Sequence, residues 1–198
     1  MSYELIMSVV LAIGLAAACG FRVFLPLFAV SLMSYFDVGT FGLSENFQWI
    51  GTMPALITFG GASLLELAAY YIPYVDNLLD TIAVPLAAAA GTVISLSTMV
   101  DLDPLAQWSI ALIAGGGLAG LIKGTGAATR AASTATTGGL ANPVVSTVET
   151  GASIGMILLA VFVPLFALVA VGVILYLIYK TVKRLRRKKP VPSVDTGS

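Results

Sequence analysis

The chain contains no histidine and one cysteine, Cys19. The first absence removes the commonest general base near neutral pH and the commonest metal ligand. The second excludes an intrachain disulfide and leaves the redox compartment open. Charge is scarce as well: 10% of the 198 residues are charged, against about 25% in an ordinary soluble domain. Catalytic signatures are also missing. There is no zinc-binding His-Glu pair, no paired-cysteine spacing, no Gly-Lys-Ser phosphate loop and no Gly-x-Ser-x-Gly elbow. No enzymatic activity, cofactor, metal or nucleic-acid partner is therefore expected.

What is present is apolar. Hydrophobic residues make up 58% of the chain and the mean hydropathy is +0.98, more apolar surface than a soluble fold of this size can bury. The zero net charge conceals an asymmetry, because seven of the ten basic residues lie between Lys180 and Lys189. Before the first apolar run stand Met1, Ser2, Tyr3 and Glu4, with no basic residue and no processing site, so that run reads as retained rather than as a signal peptide.

A membrane-crossing helix needs about 20 apolar residues, so the gaps between charges serve as a ruler. Residues 5–36 are interrupted only by Arg22. They are too long for one span and too short for two, which predicts a tilted helix broken near Gly20 to Pro26. Asp37 to Gln48 reads as an aqueous loop. A second span covers Thr52 to Ile72 and contains Glu66; Tyr70, Tyr71 and Tyr74 read as an interfacial belt. A turn with a short amphipathic piece follows to Asp80. The third span is 81–100, closed by an acidic turn at Asp101 and Asp103. The fourth is 105–122, with Gly115, Gly116, Gly117 and Gly120 allowing close helix approach.

Residues 124–150 are rich in Thr, Ser, Ala and Gly, and read as an external loop or as irregular backbone buried in the protein; the absence of charge over 131–148 favours the second. The last span is the uncharged run 150–179, tilted or kinked at Pro164. The basic flank after it marks a cytoplasmic C-terminus, followed by a disordered end from Pro190. The expected fold is an all-α polytopic bundle of five or six spans over 1–179, with a basic cytoplasmic tail over 180–198. Six spans, with residues 124–150 crossing as a broken helix and both termini inside, is the reading adopted; a re-entrant segment would give five, with the N-terminus outside. Phe24-Leu-Pro-Leu-Phe-Ala-Val30 resembles Phe162-Val-Pro-Leu-Phe-Ala-Leu168, a candidate inverted repeat of the kind found in transporters.

Charges inside spans cost roughly 3 kcal/mol on insertion scales, which makes each one a candidate site. Arg22 and Glu66 are the first pair, with a structural ion pair between them as the plainer reading. Lys123, at the end of the fourth span, reads as a snorkelling side chain. Arg130 and Glu149 bracket the polar segment whose middle holds Gly138, Gly139 and Asn142; the glycines would leave backbone groups free for a ligand. Asp76, Asp80, Asp101 and Asp103 read as caps and turns. Three buried basic groups against two acidic ones lean toward an anionic solute or lipid headgroup.

Gly20-Phe-Arg-Val-Phe-Leu-Pro26, Leu65-Glu66 with Ile72-Pro-Tyr-Val-Asp76, and Thr137-Gly-Gly-Leu-Ala-Asn-Pro-Val-Val-Ser146 with Glu149 together resemble the bacterial membrane family called domain of unknown function 4126, up to about Tyr179. The resemblance implies a bacterial inner-membrane location and points to Arg22, Glu66, Arg130, Asn142 and Glu149. The function expected is a small transporter or channel with its site at broken helices near mid-membrane. The alternative is a non-transporting scaffold that binds partner helices or anionic lipid. The bilayer, anionic lipid at the basic tail and a second copy of the chain are the partners considered.

Overall fold

A computed structural model describes residues 3–38, 42–72, 75–100 and 102–187, and every regular element among them is helical. The helices are α1 (Tyr3–Phe21), α2 (Phe24–Tyr35), α3 (Met53–Ala69), α4 (Val75–Thr98), α5 (Pro104–Ile110), α6 (Gly117–Thr137), α7 (Asn142–Phe162) and α8 (Pro164–Arg187). A 3₁₀ turn over Glu45–Gly51 leads into α3 with a bend of 65°. A π turn over Ala111–Gly116 joins α5 to α6, so that Pro104–Thr137 is one helical run of 34 residues. Five helices among the described residues are long and apolar enough to cross a membrane, or six if the bent pair is counted as one. This is the architecture of a multi-pass membrane protein. Asp101, Tyr74 and the end of the tail from residue 188 lie outside the described residues.

A helix that is apolar on every side belongs in the interior, and α1 behaves that way: from Val10 to Gly20 only Ile13 is not buried. Its small residues set how closely its neighbours approach. A Cβ on Gly20 would stand 2.9 Å from the Ala119 carbonyl oxygen of α6. Ser153 of α7 donates to the Ala18 carbonyl at 3.1 Å, and Ala12 shares a core with Leu96 of α4 and with Met99 just after it. These pairings run α6 parallel to α1, and α4 and α7 antiparallel to it. Gly91 and Gly115 close α4 onto the π turn, where a Cβ on Gly91 would stand 2.7 Å from the Gly115 carbonyl.

Three expectations change. The segment 124–150 is a helical hairpin, not irregular backbone. Gly138 and Gly139, at φ 64° and 86°, end α6 in the left-handed region that glycine adopts freely, and Asn142 opens α7. The helix accommodates its threonines because their hydroxyls are satisfied on their own preceding turns: Thr125 to Leu121 O at 2.9 Å and Thr129 to Thr125 O at 2.9 Å.

The run 150–179 is not one kinked span either. A Cβ on Gly14 would lie 2.8 Å from Ala160 Cβ and 3.1 Å from Ala167 Cβ, so those two atoms are closer together than the roughly 10 Å that seven residues of straight helix would place between them. The chain folds back at Val163, and α8 runs parallel to α1 through Arg187, eight residues beyond Tyr179.

Tyr3 and Arg187 consequently lie at opposite ends of the bundle, as an odd number of crossings requires. The long spans are five, and α2 with α3 forms a shorter antiparallel hairpin in which Gly60 meets Phe28 and Gly51 meets Ser34. The break expected between Gly20 and Pro26 falls at Arg22–Val23. The first string opens α2 after a break, and the second spans a break, from Phe162 at the end of α7 into the start of α8. The helices run in opposite senses: Ser44 N donates to Ser97 O near the Tyr3 end, which places the chain after α2 there.

Candidate functional site

The break between α1 and α2 strands polar backbone inside the bundle. Carbonyls at the end of α1 and N–H groups at the start of α2 have no helical partner. Glu66, from α3, answers the second need: its Oε1 accepts from Val23 N at 2.9 Å and its Oε2 from Phe24 N at 3.0 Å. A carboxylate also suits the positive pole of a helix start. Lys123, from α6, answers the first by donating to Phe21 O at 3.1 Å. The two caps face each other, Nζ to Oε1 at 3.8 Å. Lys123 is fully buried and does not snorkel.

Arg22 itself turns away from Glu66. Its guanidinium donates to Ser146 O at 2.8 Å, Ser146 Oγ at 2.5 Å and Thr150 Oγ1 at 3.0 Å, all on α7. The plainer expectation, an Arg22–Glu66 ion pair, is thus replaced by Lys123–Glu66. Arg22 Nη1 is buried without a hydrogen-bond partner.

A second network lies beside the first. Arg130 of α6 grips Asp80 of α4 in a two-point contact, Nε to Oδ2 at 2.7 Å and Nη2 to Oδ1 at 2.6 Å, and also pairs with Glu149 of α7. Gly126 leaves room for the Glu149 carboxylate, which any Cβ there would strike. Asn142 donates to Asp76 Oδ2 at 2.5 Å and to Thr134 Oγ1 at 3.0 Å. Its own Oδ1 is buried without a partner. Asp76 and Asp80 are therefore members of the cluster, not mere turn residues.

Tyr70 joins the two networks. The centre of its ring lies 4.5 Å from Arg22 Cζ, 4.7 Å from Lys123 Nζ and 4.6 Å from Arg130 Cζ, and its hydroxyl donates to Asp80 Oδ1 at 3.2 Å. Three cations share one ring in a desolvated site, where each such contact is worth on the order of 1–2 kcal/mol. Tyr70 is 2% exposed and does not belong to an interfacial belt. Tyr176 and Tyr179 on α8 suit that role better, exposed and paired with Lys180 and Lys183.

Of the expected site residues, the structure gathers Arg22, Glu66, Arg130, Asn142 and Glu149. Gly138 and Gly139 stay outside the cluster: Gly138 N donates to Thr134 O and Gly139 O accepts from Asn142 N, both at 3.0 Å, so these groups build the turn. The added members are Tyr70, Asp76, Asp80, Lys123, Ser146 and Thr150. A polar stripe signals part of this set, since Asn142, Ser146, Glu149 and Ser153 recur every three or four residues on one face of α7. The charge count also changes, to four carboxylates (Glu66, Asp76, Asp80, Glu149) against three cations (Arg22, Lys123, Arg130), a formal sum of −1 that removes the lean toward an anion. Glu149 lies seven residues into α7, about 10 Å from its start, so the cluster sits toward the Arg187 end rather than at the middle of the bundle.

The described family of domain of unknown function (DUF4126) matches residues 9–184. No curated protein and no solved structure matches the chain.

Proposed function

The chain belongs to the DUF4126 family, and from its interior we propose a small membrane transporter or channel-like protein. The observation that carries the reading is the gathering of seven ionisable side chains from the α1–α2 break, α3, α4, α6 and α7 into two adjoining networks joined by the buried Tyr70, whose ring meets the three cations and whose hydroxyl meets Asp80. Ionisable groups held among membrane-crossing helices are costly, and they mark solute and ion pathways by default. The partnerless Arg22 Nη1 and Asn142 Oδ1 add hydrogen-bonding capacity that the protein itself leaves unused.

A bacterial inner-membrane location with the basic C-terminal end in the cytoplasm completes the proposal. It rests on the basic tail that follows the last span. The bilayer is the expected partner, with anionic lipid at the tail, and no enzymatic step is assigned. The scaffold alternative is favoured by the exposed side of α7, where Gly151 and Gly155 have open space beside them for another helix.

The test is flux. Proteoliposomes are assayed by uptake and by solid-supported membrane current against a panel of small organic cations, organic anions and monovalent salts. Protein-dependent flux that falls in Arg22→Met supports the proposal. Vesicles as tight as protein-free ones across the panel overturn it in favour of the scaffold.

A further inference from the structure

At the Tyr3 end the helices part around a cavity of about 820 Å³, between the start of α1, the end of α4 and the α7–α8 elbow. Glu4, Ser8 and Leu11 form its α1 wall, with Thr98 on α4 and with Val161 and Phe162 beside the elbow. The volume falls within the roughly 300–1,000 Å³ of ordinary ligand sites. Glu4 is exposed there, and an ionised carboxylate keeps water around it. The hydroxyls of Ser8 and Thr98 donate to carbonyls of their own turns and keep acceptor positions for water. This is a wet mouth, at the end of the bundle opposite to the ionisable cluster.

One face of α1 leads from the mouth to the cluster. Glu4, Ser8, Leu11, Leu15, Ala18 and Arg22 follow one another at steps of three or four residues. Arg22 N still bonds Ala18 O at 3.0 Å, so the helical register reaches Arg22. α7 accompanies this face, with Ala160 at the level of Gly14, Ser153 at Ala18 and Ser146 at Arg22. Leu15 stands about 6 Å beyond Leu11 and about 10 Å before Arg22. Ile157, one turn from Ser153, and Ile94, two residues from the Leu96 that meets Ala12, come to its level. Leu15 and Ile94 are 0% exposed and Ile157 9%, within one apolar core. Beyond this layer the seam turns polar again, at Ser153 and then Arg22.

We infer that this cavity is the entrance of the solute pathway and that Leu15, with Ile94 and Ile157, is the seal between the entrance and the cluster. An apolar constriction of this kind stops water and ions by dewetting, so the pathway opens when that layer parts. The inference deepens the transport proposal and rests on it for the purpose of the pathway, though the seal can be read without flux. It fixes the end from which solute reaches the cluster, and it gives a role to a leucine that touches none of the charged groups.

Cys19 supplies the reporter, being the sole cysteine, 0% exposed and one turn beyond Leu15. Full-length protein in lipid nanodiscs is treated with a membrane-impermeant methanethiosulfonate, and modification is followed by mass spectrometry. Met7→Cys in a Cys19→Ser chain should react rapidly, since Met7 lines the mouth. Wild-type Cys19 should stay unmodified, and Leu15→Ser should raise its rate by about tenfold or more, a factor equivalent to about 1.4 kcal/mol. Leu27→Ser, the same change in the same core but on α2, should leave Cys19 protected. Ser8→Trp, which fills the mouth, should restore protection to Leu15→Ser. The inference is overturned by an unreactive Met7→Cys, by a Cys19 that reacts in wild type or stays protected in Leu15→Ser, by equal exposure in Leu27→Ser, or by labelling that Ser8→Trp leaves unchanged. Proteoliposome flux separates the two proposals. Ser8→Trp alone should abolish protein-dependent flux, and flux that survives it overturns the entrance. The expected labelling pattern without flux of any solute sinks transport and leaves the seal.

Discussion

Glu66 and Lys123 cap the two sides of the same helix break, the carboxylate on the N–H groups that open α2 and the ammonium on a carbonyl that closes α1, with 3.8 Å between them. Removing one charge strands the other in a buried site, which costs about 3–5 kcal/mol, while removing both leaves only unmade hydrogen bonds at about 1–3 kcal/mol each. Glu66→Gln and Lys123→Met should each lower thermal stability in detergent, and the double variant should lose less than the sum of the two. Strict additivity would show that the residues do not act as a pair.

Arg130 joins three helices because a guanidinium can grip Asp80 with two donors and still reach Glu149. A lysine is a point charge on a flexible stem and lacks that fork. Arg130→Lys is therefore expected to cost about 2–4 kcal/mol despite keeping the charge. An unfolding midpoint equal to wild type would contradict the geometry.

Glycines in this bundle divide by what surrounds them. A Cβ at Gly91 would press on the Gly115 backbone, and one at Gly14 on Ala160, whereas Gly151 and Gly155 have nothing within 4 Å. Gly91→Ala should destabilise by about 1–3 kcal/mol through overpacking. Gly151→Ala should be neutral or stabilising by up to about 1 kcal/mol in the monomer. If Gly151→Ala instead weakens self-association measured by single-molecule photobleaching, the exposed side of α7 is an interface between copies.

Cys19 is the sole cysteine and is 0% exposed, one turn from the break. A small thiol reagent should leave the folded wild type unmodified and label it fully once denatured. Faster labelling in Glu66→Gln would report loosening at the α1–α2 junction. Rapid labelling of the native protein would show that the interior of α1 is wet.

The break near Arg22 was readable because Pro26 and the uncharged run length argue locally, through missing hydrogen bonds and rise per residue. Pro164 was equally visible, yet the fold-back beside it depends on Gly14, 150 positions earlier, and distance in sequence hides that contact. Composition misled at residues 124–150, where Thr and Ser suggested irregular backbone although their hydroxyls bond within the helix. Cost alone singled out Arg22, Glu66, Arg130 and Glu149. Their partners were not recoverable that way: Tyr70 and Lys123 have ordinary interfacial roles at a span end, and only the assembled bundle withdraws them from the surface.

The position of α1 sets an order of construction. Preceding them in the chain, it is the surface against which α4, α6, α7 and α8 settle, and its small residues are the seats they occupy. The later helices that pack on α1 cannot finish packing until that post is in the bilayer, and the elbow at Val163, beside Gly14, is the last of these seats in chain order. A ribosome stalled before α8 would leave a bundle missing one wall, while a chain deprived of α1 would have walls and nothing to lean them on.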